Sequence, residues 1–282
     1  MIDFRMQTFI KLCETMNYRK TAKLLNMTQP AVTQHIQYLE KQYGCKLFEY
    51  DKHVLHKTLA CKNLEHKVRA VFYIDQAFRE EIKVEKEPTL KIGATKTIAE
   101  FVLPPVIDQY IERTKGDFTL MVANTQDLLT MLDEIAIDFA LIEGLFDKSR
   151  YGYACYKQEK FVGICAKGHT FAGQEVNWEE ILKEVVIIRE EGSGTRTIFE
   201  DILRQYSYSL DDFKRRLCIS HFTLIKSLVA KERGITFAYE SILQEQDDLA
   251  TFYIKDVPVI REFNYVYLKG TPMQDKISLL IG

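Results

Sequence analysis

The feature that most constrains this chain is a pair of helices joined by almost nothing. Thr21-Ala22-Lys23-Leu24-Leu25 reads as a short helix, Asn26-Met27 as a tight turn, and Thr28 as the N-cap of the next helix. Asn tolerates the left-handed backbone that a tight turn needs. A Thr side chain accepts a hydrogen bond from an unpaired amide of the first turn, and Pro30 is allowed because early helical N–H groups lack partners anyway. Val32, Ile36, Leu39 and Tyr43 then repeat at spacings of 4, 3 and 4, which predicts a buried stripe, and Gly44 ends the helix. The opposite face carries Gln29, Thr33, Gln34 and Gln37. Upstream, Met6, Phe9, Ile10 and Cys13 mark one face of a first helix. Gln and Thr side chains can donate and accept at base edges in a major groove. An ordinary helical hairpin with a polar outer face fits the same pattern.

Charge bears on that choice. Residues 1–58 hold nine Lys/Arg against five Asp/Glu, whereas the other 224 hold 29 against 35, within a net charge of -2. A basic module on an acidic body suits contact with phosphates, although a solvated surface would have the same balance. At 282 residues and 46% hydrophobic, the chain has room for two domains and a linker. No apolar run reaches membrane-spanning length, and Met1 to Thr15 does not read as a signal peptide. The six cysteines are dispersed without a CxxC pair. These features predict a reduced, cytoplasmic protein with no membrane association, no cysteine-built zinc site and no cofactor. Neither HExxH nor GxSxG occurs, and the carboxylates Glu143, Glu190 and Glu191 pair with nothing in the sequence, so no enzyme is expected.

The run from Tyr18 to Glu40, with Thr28-Gln29-Pro30-Ala31-Val32-Thr33 at its centre and Leu39-Glu40 at its end, followed by Gly44 and Leu47-Phe48, resembles the signature of LysR-type transcriptional regulators. The match covers some thirty residues without a gap. The resemblance implies a winged helix-turn-helix over residues 1–58, with Thr28, Gln29, Pro30, Thr33, Gln34 and Gln37 facing the groove of double-stranded promoter DNA. Gln29 and Gln34 are the candidates for base contacts. Arg5, Arg19, Lys20 and Lys23 are candidates for phosphate contacts, which set position without reading sequence. The wing departs from the family: Tyr50 stands where an Arg is usual, and Lys57-Thr58-Leu59-Ala60-Cys61 replaces Leu-Thr-x-Ala-Gly. Lys52, His53, His56 or Lys57 would then supply the wing's cation.

Residues 59–87 read as a linker helix. Val68, Val71, Asp75, Phe78 and Ile82 follow heptad spacing, interrupted by Asp75, and Glu85-Lys86-Glu87-Pro88 ends it. The helix either packs on its own domain or joins two copies, and the resemblance implies a dimer, with a tetramer as the larger assembly.

From residue 88 to 282 strands and helices alternate, which argues an open α/β sheet with crossover helices. Expected strands lie at Leu90–Gly93, Phe118–Val122, Phe139–Ile142, Phe161–Ala166, Val185–Ile188, around Ile219 and at Ile235–Ala238, with a helix break at Pro104-Pro105. The resemblance implies a type II periplasmic-binding-protein-like sensor of two lobes, one of residues 89–161 and 266–282, the other of 162–265. The chain would cross near Phe161 and Tyr265, with the pocket between the lobes.

Three loops are pocket candidates. Thr95-Lys96-Thr97 opens a helix after the first strand, Asn124-Thr125 follows the second, and Gly192-Ser193-Gly194-Thr195-Arg196 opens another helix. Hydroxyls and free N–H groups at helix N-termini favour an anion, and glycines allow close backbone approach. The last loop resembles that of LysR regulators of sulphur assimilation and carbon fixation; it also fits a plain strand-to-helix turn. Lys96 reads as a ligand cation or a solvated charge. Phe222 and His221 open a further helix and either close the pocket or, for His221, serve a local structural role. The family's Gly-x-Gly is reduced here to Gly234, so a rebuilt turn is expected. The function implied is promoter binding modulated by a small anionic effector; a small-molecule-binding receptor module without direct promoter control is the alternative.

Overall fold

In a computed structural model, residues 3–82, 89–243 and 248–282 are described. The chain forms two compact units, one of Met1–Pro88, Ser149–Gly152 and Leu268–Pro272, the other of Thr89–Lys148, Tyr153–Tyr267 and Met273–Gly282.

The first unit begins with α1 (Phe4–Thr15), α2 (Tyr18–Leu24) and α3 (Gln29–Tyr43). Each starts on a capping side chain. Asp3 accepts from Arg5 N at 2.9 Å, Asn17 from Lys20 N at 3.0 Å and Thr28 from Ala31 N at 3.3 Å. The Asn17 cap is why α2 starts three residues before the expected Thr21. Asn26 turns with φ 52°, and Gly44 closes α3 with φ 66°. Phe9, Leu12, Ile36, Leu39 and Leu47 form the core between the helices. A fully buried Leu or Phe contributes about 1.5–3 kcal/mol. Tyr43, expected to complete the buried stripe, is 46% exposed because it sits in the last turn, beyond α1.

β1 (Phe48–Asp51) and β2 (Val54–Lys57) pair antiparallel around Lys52 and His53, whose φ values of 45° and 68° make a two-residue hairpin turn. The wing is therefore regular despite its unusual residues. Glu40 anchors it: Oε1 accepts from Leu47 N at 2.9 Å and Oε2 from Lys46 Nζ at 2.8 Å. Cys61, in the place of the family's glycine, is fully buried with its Sγ 3.8 Å from that of Cys13.

Thr58 Oγ1 accepts from Cys61 N at 3.0 Å and starts α4 (Leu59–Glu81). Val68 is buried in the helix-turn-helix core, while Val71, Ile74, Phe78 and Ile82 are exposed. The exposed stripe thus runs through Ile74 rather than Asp75, which pairs with Arg79 at 2.7 Å. The expected helix end at Glu85-Lys86-Glu87-Pro88 lies outside the described residues.

In the second unit, β3 (Leu90–Ala94), α5 (Lys96–Phe101), α6 (Pro104–Arg113), β4 (Phe118–Val122), α7 (Thr125–Asp133) and β5 (Phe139–Ile142) follow one another. β3 lies between β4 and β5, parallel to both, with Ile92 opposite Leu120 and Phe139. The prolines restart the helix at α6 as its first two residues, where missing N–H groups do no harm. Then come β6 (Tyr151–Ala166), β7 (Glu175–Val176), α8 (Trp178–Ile181), β8 (Val185–Ile188), α9 (Gly194–Gln205), β9 (Arg215–Cys218), α10 (Phe222–Ala230), β10 (Thr236–Tyr239), β11 (Leu249–Ile254), β12 (Ile260–Leu268) and α11 (Gln274–Ile281).

The strand order is β4-β3-β5-β12-β6-β11-β7, with β10 also on β6 and β8 parallel to β9. This corrects the expectation of a simple open sheet. β12 runs antiparallel to β5, and β10 and β11 run antiparallel to β6. The first half of β6 and all of β7, β11 and β12 escaped the sequence reading. Tyr151–Lys160 is half-exposed and rich in polar residues, so it lacks an apolar signature. The chain passes between lobes on the long strands β6 and β12, and β12 already pairs with β5 at Asn264, a residue before the expected crossing.

Candidate functional site

The exposed face of α3 carries Thr28, Gln29, Pro30, Gln34 and Gln37, with Thr33 half-buried and its hydroxyl donating to Gln29 O at 3.1 Å. Arg19, Lys20 and Lys23 are exposed on α2, and Lys52 is exposed at the wing tip. Arg19 Nε donates to Gln29 Oε1 at 3.3 Å, which ties a phosphate candidate to a base candidate. Arg5 is drawn back onto its own unit, paired with Asp3 at 3.0 Å and stacked over the Tyr38 ring at 3.8 Å. Lys57 is also withdrawn: it pairs with the buried Glu65 at 2.7 Å, and Glu65 takes Arg69 as well at 2.9 Å. Burial pushes the Glu65 carboxyl up, but the hydrogen bonds and charges of Lys57 and Arg69 outweigh it and hold it below its usual value. Lys57 is thus structural, and Lys52, His53 and His56 remain on the wing's exposed surface.

The second unit holds a cleft of about 350 Å³ where the starts of α5, α7 and α9 converge at the carboxyl ends of β3, β4 and β8. Thr95, Lys96, Asn124, Gly192, Ser193 and Gly194 line it. Three of the expected loops therefore meet. Thr95 and Ser193 stand at the N-cap positions of α5 and α9, and neither side chain makes a capping bond. Thr95 is 4% exposed, and its Oγ1 makes no hydrogen bond of standard geometry among the described residues, although it lies near enough to Glu143 to help stabilise that carboxylate. Asn124 is already used, since its Oδ1 accepts from Asp127 N at 2.9 Å. Lys96 is half-buried, and its Nζ donates to Ser220 O at 2.6 Å. Gly192 has φ 82° and needs to be glycine, whereas a methyl on Gly194 would lie 3.6 Å from Glu143 Cγ, an ordinary contact.

Not every expected residue reaches the cleft. Thr97 and Thr195 are buried behind its wall. Phe222 is 1% exposed in the core beneath Arg189, whose guanidinium lies 4.4 Å over the ring. His221 is exposed at the N-cap position of α10, where its side chain makes no capping bond and its carbonyl accepts from Ile225 N at 3.1 Å.

The cleft also holds residues outside the expected loops, among them Glu143, named in the sequence only as an unpaired carboxylate, and Arg189. Glu143 follows the wholly buried strand β5, and Arg189 follows β8. A charged residue directly after an apolar strand marks the carboxyl edge of an α/β sheet, where ligands bind. Arg189 grips Glu190 with Nε at 2.8 Å and Nη2 at 2.9 Å. Glu143 Oε1 accepts from Thr97 Oγ1 at 3.0 Å and Thr195 Oγ1 at 3.5 Å, while Oε2 has no partner among the described residues. Burial pushes this carboxyl up to about 7, against the downward pull of the threonine hydroxyls and the Arg189 charge.

No described helix is long and apolar enough to cross a membrane. Residues 4–62 match the bacterial regulatory helix-turn-helix protein, lysR family, and residues 84–282 match the LysR substrate binding domain. The chain is similar to the uncharacterized HTH-type transcriptional regulator MJ0300 of Methanocaldococcus jannaschii, at 28% identity over 267 residues covering 93% of this chain and 90% of that one. It is 24% identical over 271 residues to the HTH-type transcriptional regulator CysL of Bacillus subtilis, covering 93% and 89%. In fold it is similar to the CcmR regulatory domain of Synechocystis in complex with 2-PG, with a TM-score of 0.61 at 19% identity, covering 68% of this chain and 95% of that one. The chain belongs to the LysR family of DNA-binding transcriptional regulators, a helix-turn-helix joined to a two-lobed substrate-binding domain.

Proposed function

We propose that this regulator binds a small anionic effector in the cleft at Thr95 and Ser193, and that the effector changes how the protein reads its promoter. The observation that carries this reading is the meeting of two uncapped helix starts at Thr95 and Ser193, with a Thr95 hydroxyl that makes no hydrogen bond of standard geometry among the described residues and the cations Lys96 and Arg189 alongside. Free N–H groups at helix N-termini and spare hydroxyls suit an anion. The 2-PG held by the related CcmR regulatory domain supports a small-molecule occupant. An effector acts by favouring one arrangement of the lobes over another. On this reading the protein binds and does not catalyse, acts in the cytoplasm where promoter DNA lies, and needs no cofactor.

On the DNA side, Gln29, Gln34 and Gln37 with Thr28, Pro30 and Thr33 meet the groove, and Arg19, Lys20 and Lys52 meet phosphates. The exposed stripe of Val71, Ile74, Phe78 and Ile82 on α4 joins two copies, and pairs of dimers build a tetramer. The decisive experiment is a promoter-wide binding selection with the full chain, followed by a thermal-shift screen of small anions against wild type and Thr95→Ala. A preference for a pseudo-palindromic site and a shift lost in the variant support the reading. Binding no better than to random duplex, or a full response in Thr95→Ala, overturns it.

A further inference from the structure

The cleft has a feature at odds with a simple anion site: a carboxyl group on its wall. Glu143 is 6% exposed and lines the cleft together with the cations Lys96 and Arg189 and the acids Glu190 and Glu191. With every acid ionised, carboxylates outnumber cations there. Arg189 is already committed to Glu190, and Lys96 to Ser220 O. An incoming oxyanion would therefore approach the buried carboxylate of Glu143, whose Oε2 accepts no hydrogen bond among the described residues and whose charge is offset only by the nearby threonine hydroxyls and Arg189.

A proton on that oxygen removes the conflict. The wall becomes neutral, and an acceptor becomes a donor. Burial favours that form and outweighs the opposing pull of the threonine hydroxyls and Arg189. Oε1 is held by Thr97 and Thr195, which leaves Oε2 as the atom free to carry the hydrogen. Burial disfavours the charged form and pushes the group up to about 7, so the proton is available near neutrality. The groups facing Glu143 can be named element by element. Thr95, Lys96 and Thr97 come from the start of α5 and Thr195 from α9. Arg189 and Glu190 follow β8, and Tyr239 on β10 donates its hydroxyl to Glu143 O at 3.4 Å. On its other side, Glu143 shares a second cavity with Lys148, Arg261 and Glu262.

We infer that the cleft takes its oxyanion together with one proton, held on Glu143 Oε2 and donated in a hydrogen bond to the ligand. This deepens the anionic-effector reading above and rests on it. The proton comes from solvent and returns there when the ligand leaves. Carboxylate, sulfate and phosphate groups share the acceptor chemistry, so the inference covers small oxyanions as a class.

The test is calorimetry on the full-length protein with two probes that do not titrate near neutrality, sulfate and acetate, in buffers of different ionisation enthalpy. Binding about tenfold weaker at about pH 8 than at about pH 6 is expected, because only the protonated fraction binds. Proton uptake approaching one per ligand at the higher pH is expected with it. Sulfate alone binding identifies a tetrahedral oxyanion, and acetate alone a carboxylate. Glu143→Gln keeps a donor without a titrating proton, so it should bind equally at both pH values with no proton uptake, and Glu143→Ala should bind weakly at both. Should Glu143→Gln fail to fold, the wild-type proton count decides alone. Binding of equal strength at both pH values without proton uptake overturns the inference and leaves the oxyanion cleft standing. No binding by wild type or Glu143→Gln at either pH overturns the oxyanion cleft and the inference with it.

Discussion

The hydroxyls of Thr97 and Thr195 lie 3.4 Å apart, although 98 residues separate them in the chain and their helices start in different lobes. Both also reach the same oxygen of Glu143. The contact stitches the lobes together behind the cleft wall, through a carboxylate whose charge the hydroxyls stabilise. Thr97→Val should destabilise the two-lobed domain by about 1.5–3 kcal/mol when Glu143 is ionised, the range for a hydrogen bond to a charged group, and by less when it is protonated. Urea unfolding at about pH 8 and about pH 5 separates the two. Equal losses at both would rule out the charge-assisted bond. Thr195→Val, at the longer distance, should lose less.

Stability should also follow pH through Glu143. Its folded value is raised to about 7. The stabilisation it allows is therefore fully present below the unfolded carboxyl value and is lost as pH rises through about 7, roughly 3 kcal/mol in all. Glu143→Gln should flatten that slope in thermal unfolding of the two-lobed domain. Glu65 works in the opposite sense. Its carboxyl is held low by Lys57 and Arg69, so its contribution is present above the usual carboxylate range and lost as pH falls through the lowered value. A wild-type midpoint that rose steadily from about pH 5 to about pH 8 would contradict the Glu143 assignment.

The proposed DNA-reading face allows two kinds of loss to be told apart. Gln34→Ala should cost about 1–3 kcal/mol at a preferred site and relax preference at one base pair. Lys20→Ala should weaken binding to all duplexes alike and reduce the salt slope by about 1. Titrations of operator and random duplex over a salt series measure both. A Gln34→Ala protein with unchanged base preference would remove that residue from the reading set.

Gly234 and Glu232 differ in kind, although both sit at one turn with positive φ. Gly234 has φ 155°, and a methyl there would lie 2.4 Å from Val185 O. Gly234→Ala should therefore destabilise by about 3 kcal/mol, since backbone cannot yield as a side chain can. Glu232, standing where the family usually has glycine, holds φ 56°. The turn keeps its left-handed backbone and strains a Glu to do so. Glu232→Gly should stabilise by up to about 1 kcal/mol. Chemical denaturation of the pair checks both signs.

Local chemistry made the helix-turn-helix legible. Thr28, Pro30, Asn26 and Gly44 act within a few residues of themselves, and Val32, Ile36 and Leu39 repeat at a helical period, so neighbours alone specify α3 and its turn. The same holds for the loops at Thr95 and Ser193, each announced by an apolar strand followed by hydroxyls. The wing was harder to read. Its hairpin rests on Lys52 and His53 in left-handed backbone and on Glu40, at the end of α3, holding Leu47 N, which the usual turn residues do not signal.

By itself, the sequence determined the two-part organisation, the recognition helix and the identity of the cleft loops, because caps, turns and periodicity are short-range properties of the chain. Tertiary structure alone decided that Lys57 belongs to Glu65 and Phe222 to the core, and that β12 crosses to pair with β5. It alone brought Glu143 against Thr97 and Thr195 and left Oε2 without a partner. Those outcomes depend on which groups are packed together and shut away from water, which the chain's local pattern does not specify even for Lys57 and Glu65, eight residues apart.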